Sequence, residues 1–147
     1  MQWKFCSHSI VINILNQNNF MGGKLMKLEE LQVYQLSMSI AEEIWNIVYK
    51  WDYFSKDTVG KQLIKASDSI AANLSEGFGR FFYKETKQFS YYSRGSLYET
   101  KCWLTKAFNR GLIKEEEFEN FNKNINNIGV KLNNYITSIG KQKSNNY

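Results

Sequence analysis

The sequence predicts an all-α protein, folded as an antiparallel up-down-up-down four-helix bundle, on three observations. Apolar residues recur at alternating steps of three and four in four stretches after Leu28, the pattern of helices that each bury one stripe. No proline occurs anywhere in the chain, so the strongest helix breaker is missing. The links between stretches are short, and a short link cannot return the chain to the far end of a helix, so neighbours run antiparallel.

The first helix is expected over about residues 28–50, with Leu31, Tyr34, Met38, Ala41, Trp45 and Val48 as its inner stripe, supported by Ile44. The connector 51–56 breaks the period, and Ser55, Asp57 or Thr58 is placed to cap the next helix. That second helix runs to Leu74 or Glu76, and Ala66, Ser67, Ser69, Ala71, Ala72, Asn73 and Ser75 make it unusually small on the side where a neighbouring backbone can come close. Leu63, Ile70 and Leu74 are its anchors. Gly77-Phe78-Gly79 is expected to end it, because glycine adopts the left-handed conformation without a Cβ penalty. The third helix is expected over 83–109, with Phe89, Tyr92, Ser96, Trp103 and Ala107 inside, Thr100 and Leu104 beside them, and Gly111 as C-cap. The fourth, from Lys114, carries the cleanest heptad: Phe118, Phe121, Ile125, Ile128, Leu132, Tyr135 and Ile139. Its first turn holds Glu115, Glu116 and Glu117, which complement the helix dipole. A buried large apolar side chain contributes about 1.5–3 kcal/mol, so four such stripes offset chain entropy.

The chain has 147 residues, 43% hydrophobic and 22% charged, which fits one soluble domain able to bury a core without disulfides or metal. Residues 27–140 form the bundle, residues 141–147 a polar tail expected to fray, and residues 1–26 an N-terminal extension. Its apolar run 10–15 is too short to cross a bilayer and lacks a signal-type cleavage site. Either it is a genuine arm, or translation starts at Met21 or Met26, since Gly22-Gly23-Lys24 implies a purine-rich tract just upstream of Met26. Cys6 and Cys102 are far apart and form no CxxC pattern, so neither a disulfide framework nor a zinc site is indicated. A reducing, cytoplasmic setting fits best.

Little points to catalysis. The single histidine, His8, lies in the extension, so no helix carries the Glu-x-x-His pair by which bundles hold two metals. No cofactor and no metal are expected. Gly77-Phe78-Gly79-Arg80 has two readings: free amides for an anion, or a helix stop. Gln62, Asn73, Glu76 and Glu99 read as a structural polar cluster, with Glu76 and Glu99 able to point inward and Arg80 four residues after Glu76. Gly95 in mid-helix costs about 1 kcal/mol of propensity, which implies a packing reason.

The most informative surface feature is on the third helix. Lys84, Lys87, Tyr91, Arg94, Tyr98 and Lys101 follow at steps of three and four, and at about 100° per residue they centre opposite the predicted inner stripe. Alternating cations and rings suit phosphate neutralisation and base stacking. The same row equally reads as a solvated face or a subunit contact. Lys61, Lys65 and Arg80 extend the positive surface if the second helix lies alongside. The net charge of +5 and a pI near 9.1 agree with an acidic partner without identifying one.

Gln62, Lys65-Ala66-Ser67, Ser69-Ile70, Asn73, Glu76-Gly77, Arg80, Gly95-Ser96 and Glu99, in that order, resemble the four-helix-bundle family named for proteins encoded in intervening sequences of bacterial 23S ribosomal RNA genes. The resemblance covers residues 28–140. That family is similar in fold to the accessory protein of diversity-generating retroelements, a basic pentameric barrel that binds nucleic acid and a reverse transcriptase. The resemblance therefore implies a homopentamer and an RNA or DNA partner. Two departures stand out: proline is absent near Ser55 and at Ala71, and Ile64-Lys65 stands where two arginines are common, which reduces the basic surface. The expectation is a non-catalytic, oligomeric bundle that binds nucleic acid through the third helix, without membrane association. The alternative is a protein-interaction scaffold with no nucleic-acid binding.

Overall fold

A computed structural model describes residues 20–21 and 24–140. The expectations for Cys6, His8, the apolar run 10–15 and the tail lie outside the described residues. A short antiparallel ladder, β1 (Phe20–Met21) with β2 (Lys24–Leu25), pairs Phe20 with Leu25 and Met21 with Lys24. A 3₁₀ turn, Leu28–Glu30, then leads to α1 (Gln32–Val48).

The buried side of α1 is Val33, Ser37, Ile40, Ala41, Ile44 and Val48. This corrects the predicted stripe, because Met38 and Trp45 are 43% and 51% exposed. Two rows at helical spacing compete on this segment. The row with Ser37 and Ala41 wins because small side chains let α1 approach its neighbours, whereas an indole would hold them apart. The Ser37 hydroxyl is buried and donates to the Val33 carbonyl at 2.7 Å, so it leaves no orphaned polar group.

The second helix begins earlier than its periodicity indicates. A turn at Tyr53–Ser55 and a π-helical turn at Lys56–Gly60 run directly into α2 (Lys61–Phe78). Asp52 is the cap, accepting from the Ser55 amide at 3.0 Å and the Ser55 hydroxyl at 2.6 Å. Ser55 is thus the capped residue, not the cap. The Ser55 hydroxyl also holds the Asp52 carboxyl below its usual value. Gly60 is needed where α1 passes, since a Cβ there would lie 2.6 Å from a Val48 methyl.

The end of α2 is a second correction. The helix passes through Gly77, and Gly79 has φ −77°, so neither glycine is left-handed. Gly77 is required for a different reason: its Cβ would lie 2.8 Å from Phe89 Cβ and 3.1 Å from the Thr86 carbonyl. The chain turns into α3 (Tyr83–Asn109), which matches its predicted span. Gly111, at φ +70°, ends that helix, and the Leu112 amide donates back to the Ala107 carbonyl at 2.9 Å. α4 (Glu115–Ser138) follows, with the Lys114 amide donating to the Glu117 carboxylate at 2.8 Å.

The four helices form the up-down-up-down bundle, in which α2 packs most closely on α3, α1 on α2, α3 on α4, and α4 closes onto α1. Ile40, Ile44, Leu63, Ile70, Leu74, Leu104, Ile128 and Leu132 are fully buried at the centre. The inner row of α3 is Thr86, Ser90, Ser93, Leu97, Thr100, Leu104 and Ala107. Phe89, Tyr92, Ser96 and Trp103 each precede an inner residue by one position and so sit to one side of that row, and Tyr92 is 51% exposed. Small hydroxyl residues take the inside because α2 and α3 approach too closely for rings. The hydroxyls of Ser90 and Thr100 are satisfied by carbonyls one turn back.

Candidate nucleic-acid interface

The rotation of α3 decides where its cations stand. Lys87, Tyr91, Arg94, Tyr98 and Lys101 each follow an inner residue by one position, so they flank the core seam rather than lying opposite it. They form one wall of a groove whose other wall is α4. Its upper part, about 770 Å³, is lined by Lys87, Tyr91 and Arg94 against Asn133, Ile136 and Thr137. A lower part of about 350 Å³ continues past Arg94, Tyr98 and Lys101 against Asn126, Gly129 and Val130. Arg94 belongs to both parts, making the groove continuous along α3.

Arg94 is fixed on both sides. Its guanidinium lies 5.0 Å from the centre of the Tyr91 ring and donates to the Asn133 side-chain oxygen at 3.3 Å. This ties the two walls together and leaves the fork half-exposed. Lys87 is half-exposed, while Lys84, Tyr98 and Lys101 are exposed. No Asp or Glu lines either part of the groove. The α4 wall explains this, since no acidic residue follows Glu119 in the sequence. Amides, a hydroxyl and a glycine face the cations, a surface that offers donors and acceptors without competing negative charge. Asn126, Asn133 and Thr137 did not emerge from the third-helix pattern; the acid-free, Asn-rich run after Glu119 is the signal that marks them.

The other candidate cations lie elsewhere. Lys61 borders a separate groove between α1 and α2, about 410 Å³, with Trp45, Tyr49, Tyr53 and Ile64, and is 3.8 Å from Asp57. Lys65, one turn on, is exposed on the outer side of α2. Arg80 is paired with Glu76 at 2.6 Å and sits 4.8 Å from the Phe89 ring centre. α2 does lie beside α3, yet these three residues do not join the Lys87–Lys101 row, because that row turns toward α4, and Lys84 is exposed without lining the groove.

The polar cluster is only partly assembled. Asn73 donates to the Ser69 carbonyl at 2.8 Å and reaches Ser96 Oγ at 3.4 Å, joining α2 to α3. Glu76 and Glu99 both face outward, and Gln62 is exposed. Glu99 takes a 3.5 Å contact from the Trp103 indole nitrogen. Gly77-Phe78-Gly79-Arg80 favours the helix-stop reading, since the Gly79 and Arg80 amides already donate to the Ser75 and Gly77 carbonyls. The described residues contain no group of three or more His, Cys, Asp or Glu side chains placed to hold a metal. No helix among them is long and apolar enough to cross a membrane.

An antiparallel helical bundle with an acid-free cationic groove along its third helix is thus the class that fold and surface define. Residues 29–134 match the 23S rRNA-intervening sequence protein family, and the chain belongs to that family. A solved structure from Bacteroides thetaiotaomicron, a protein of unknown function from the S23 ribosomal protein family, is similar in fold. It is 22% identical, with a TM-score of 0.65, over 72% of this chain and 96% of that one. No curated protein matches.

Proposed function

We propose that this chain is a non-catalytic, oligomeric bundle that binds structured nucleic acid along the α3–α4 groove. The observation that carries the reading is the groove itself: Lys87, Arg94 and Lys101 in one row, Tyr91 and Tyr98 between them, and no carboxylate on either wall. Cations at that spacing neutralise successive phosphates and release their counterions, while the phenol rings offer stacking platforms. Asn126 and Asn133 supply hydrogen bonds to sugar or base edges. The family's association with ribosomal RNA genes supports RNA as the first nucleic acid to try, and its resemblance to a pentameric barrel supports five copies. Lys61, Lys65 and Arg80 are secondary contacts on this reading, reached only by a nucleic acid that wraps beyond the groove.

A gel-shift series with a structured RNA and a DNA duplex tests the proposal. A complex at low salt that weakens as salt rises is expected. Absence of any complex at low salt would remove nucleic-acid binding and leave the scaffold reading, in which Tyr91 and Tyr98 meet a protein.

A further inference from the structure

We infer that the lower part of the α3–α4 groove seats one unpaired base of a single-stranded stretch of nucleic acid, between the Tyr98 ring and the notch that Gly129 leaves in α4. This rests on the nucleic-acid reading above and names the form of nucleic acid that the groove takes.

The notch comes from a glycine that the bundle does not need. Gly129 lies inside the 24-residue α4, where glycine is a poorer helix former than alanine. Gly60 and Gly77 have their reasons within the chain, since a Cβ there would lie 2.6 and 2.8 Å from its nearest neighbour. A Cβ at Gly129 would meet only a Leu97 methyl, at 3.4 Å, which is ordinary van der Waals contact. Alanine therefore fits the packing, and what glycine adds is room in the groove that it lines. Gly95 offers no such room: nothing lies within 4 Å of a Cβ there, and it lines neither part of the groove. The packing reason expected for Gly95 is not found within the chain.

The lining around the notch suits a base. Tyr98 is 69% exposed, and among the described residues no ring or cation covers its face, whereas Arg94 already takes one face of Tyr91. Tyr98 is thus the open platform of the pair. Leu97, Ile125 and Val130 share its part of the groove with Gly129, so a flat ring meets an apolar floor. Arg94 stands four residues before Tyr98 and Lys101 three after it, about 6 and 4.5 Å along the helix axis. One cation is therefore placed for the phosphate on each side of a base. The Asn133 oxygen accepts from Arg94, which leaves its amide nitrogen as a donor, and Asn126 offers both a donor and an acceptor to the base edge.

Duplex form would waste this arrangement. A stacked helix keeps the faces of its bases covered and presents phosphates and edges, so a ring platform beside a notch serves only a base that has left the stack. RNA and DNA strands share that base, and the sugar is what separates them.

Fluorescence anisotropy at low salt tests the inference with four labelled probes: a single-stranded RNA, the single-stranded DNA of the same sequence, and each strand paired with its complement. Wild type is expected to bind the single strands more tightly than the duplexes. Tyr98→Ala should weaken single-strand binding about 5- to 150-fold, the range for loss of one stacked base, and leave duplex binding unchanged, while Tyr98→Phe keeps wild-type affinity. Gly129→Ala should also weaken single-strand binding, yet unfold at the same temperature as wild type or a higher one. A preference for RNA or for DNA among the single strands supports the seat and assigns the sugar. Duplexes bound as tightly as single strands, unchanged single-strand affinity in Tyr98→Ala or Gly129→Ala, or earlier unfolding of Gly129→Ala would overturn the seat and leave the groove reading standing. Absence of binding to all four probes would overturn the nucleic-acid reading as well.

Discussion

Ser93 Oγ donates to the backbone carbonyl of Ile70 at 2.7 Å, from one fully buried residue to another across the α2–α3 contact. A hydroxyl can lie there only because the two backbones are close enough for a side chain of three heavy atoms or fewer to bridge them. Ser93→Ala removes one net hydrogen bond while the Ile70 carbonyl keeps its helical partner, so urea unfolding should show a loss of about 0.5–1 kcal/mol. Ser93→Val has no room for its added methyls and should lose more, about 1–3 kcal/mol.

Gly77→Ala tests the same contact from the other side. Helix propensity alone would favour alanine by about 1 kcal/mol. The new Cβ would stand 2.8 Å from Phe89 Cβ and 3.1 Å from a backbone carbonyl, and neither is the free end of a flexible chain. Overpacking outweighs propensity, and thermal unfolding should show a net loss of about 1–2 kcal/mol.

Tyr135 gives a pH dependence. Burial pushes its phenol up to about 12 from an ordinary 10.0. In the unfolded chain the phenol ionises first, so that state binds fewer protons and stability falls as pH rises. Below pH 10 this group contributes no slope; between 10 and about 12 it should lower stability by at most about 1.4 kcal/mol per pH unit. Denaturation curves of wild type and Tyr135→Phe across that window should diverge, the variant lacking this component.

These relationships also mark where the sequence was legible. The number of helices, the span of α3, the Gly111 cap and the α4 heptad follow from periodicity and turn chemistry, because α4 has a single strong apolar row. α1 and α3 each carry two rows at helical spacing. Size favoured the row with Trp45 in one and that with Tyr92 and Trp103 in the other, but close approach to α2 placed the small row inside. The cations of α3 were visible as a row; their turn toward α4 was not, because it depends on that same rotation. The anchoring of Arg94 to Asn133 joins residues 39 positions apart, which no local pattern carries.

The groove is tested most directly by the salt dependence of RNA binding, followed by fluorescence anisotropy on a labelled stem-loop for the wild type and Lys87→Gln/Arg94→Gln. The account predicts that log K falls linearly with log salt in both, with a slope shallower in the variant by about 1.4–1.8 for two lost phosphate contacts. Identical slopes for the two proteins would contradict it.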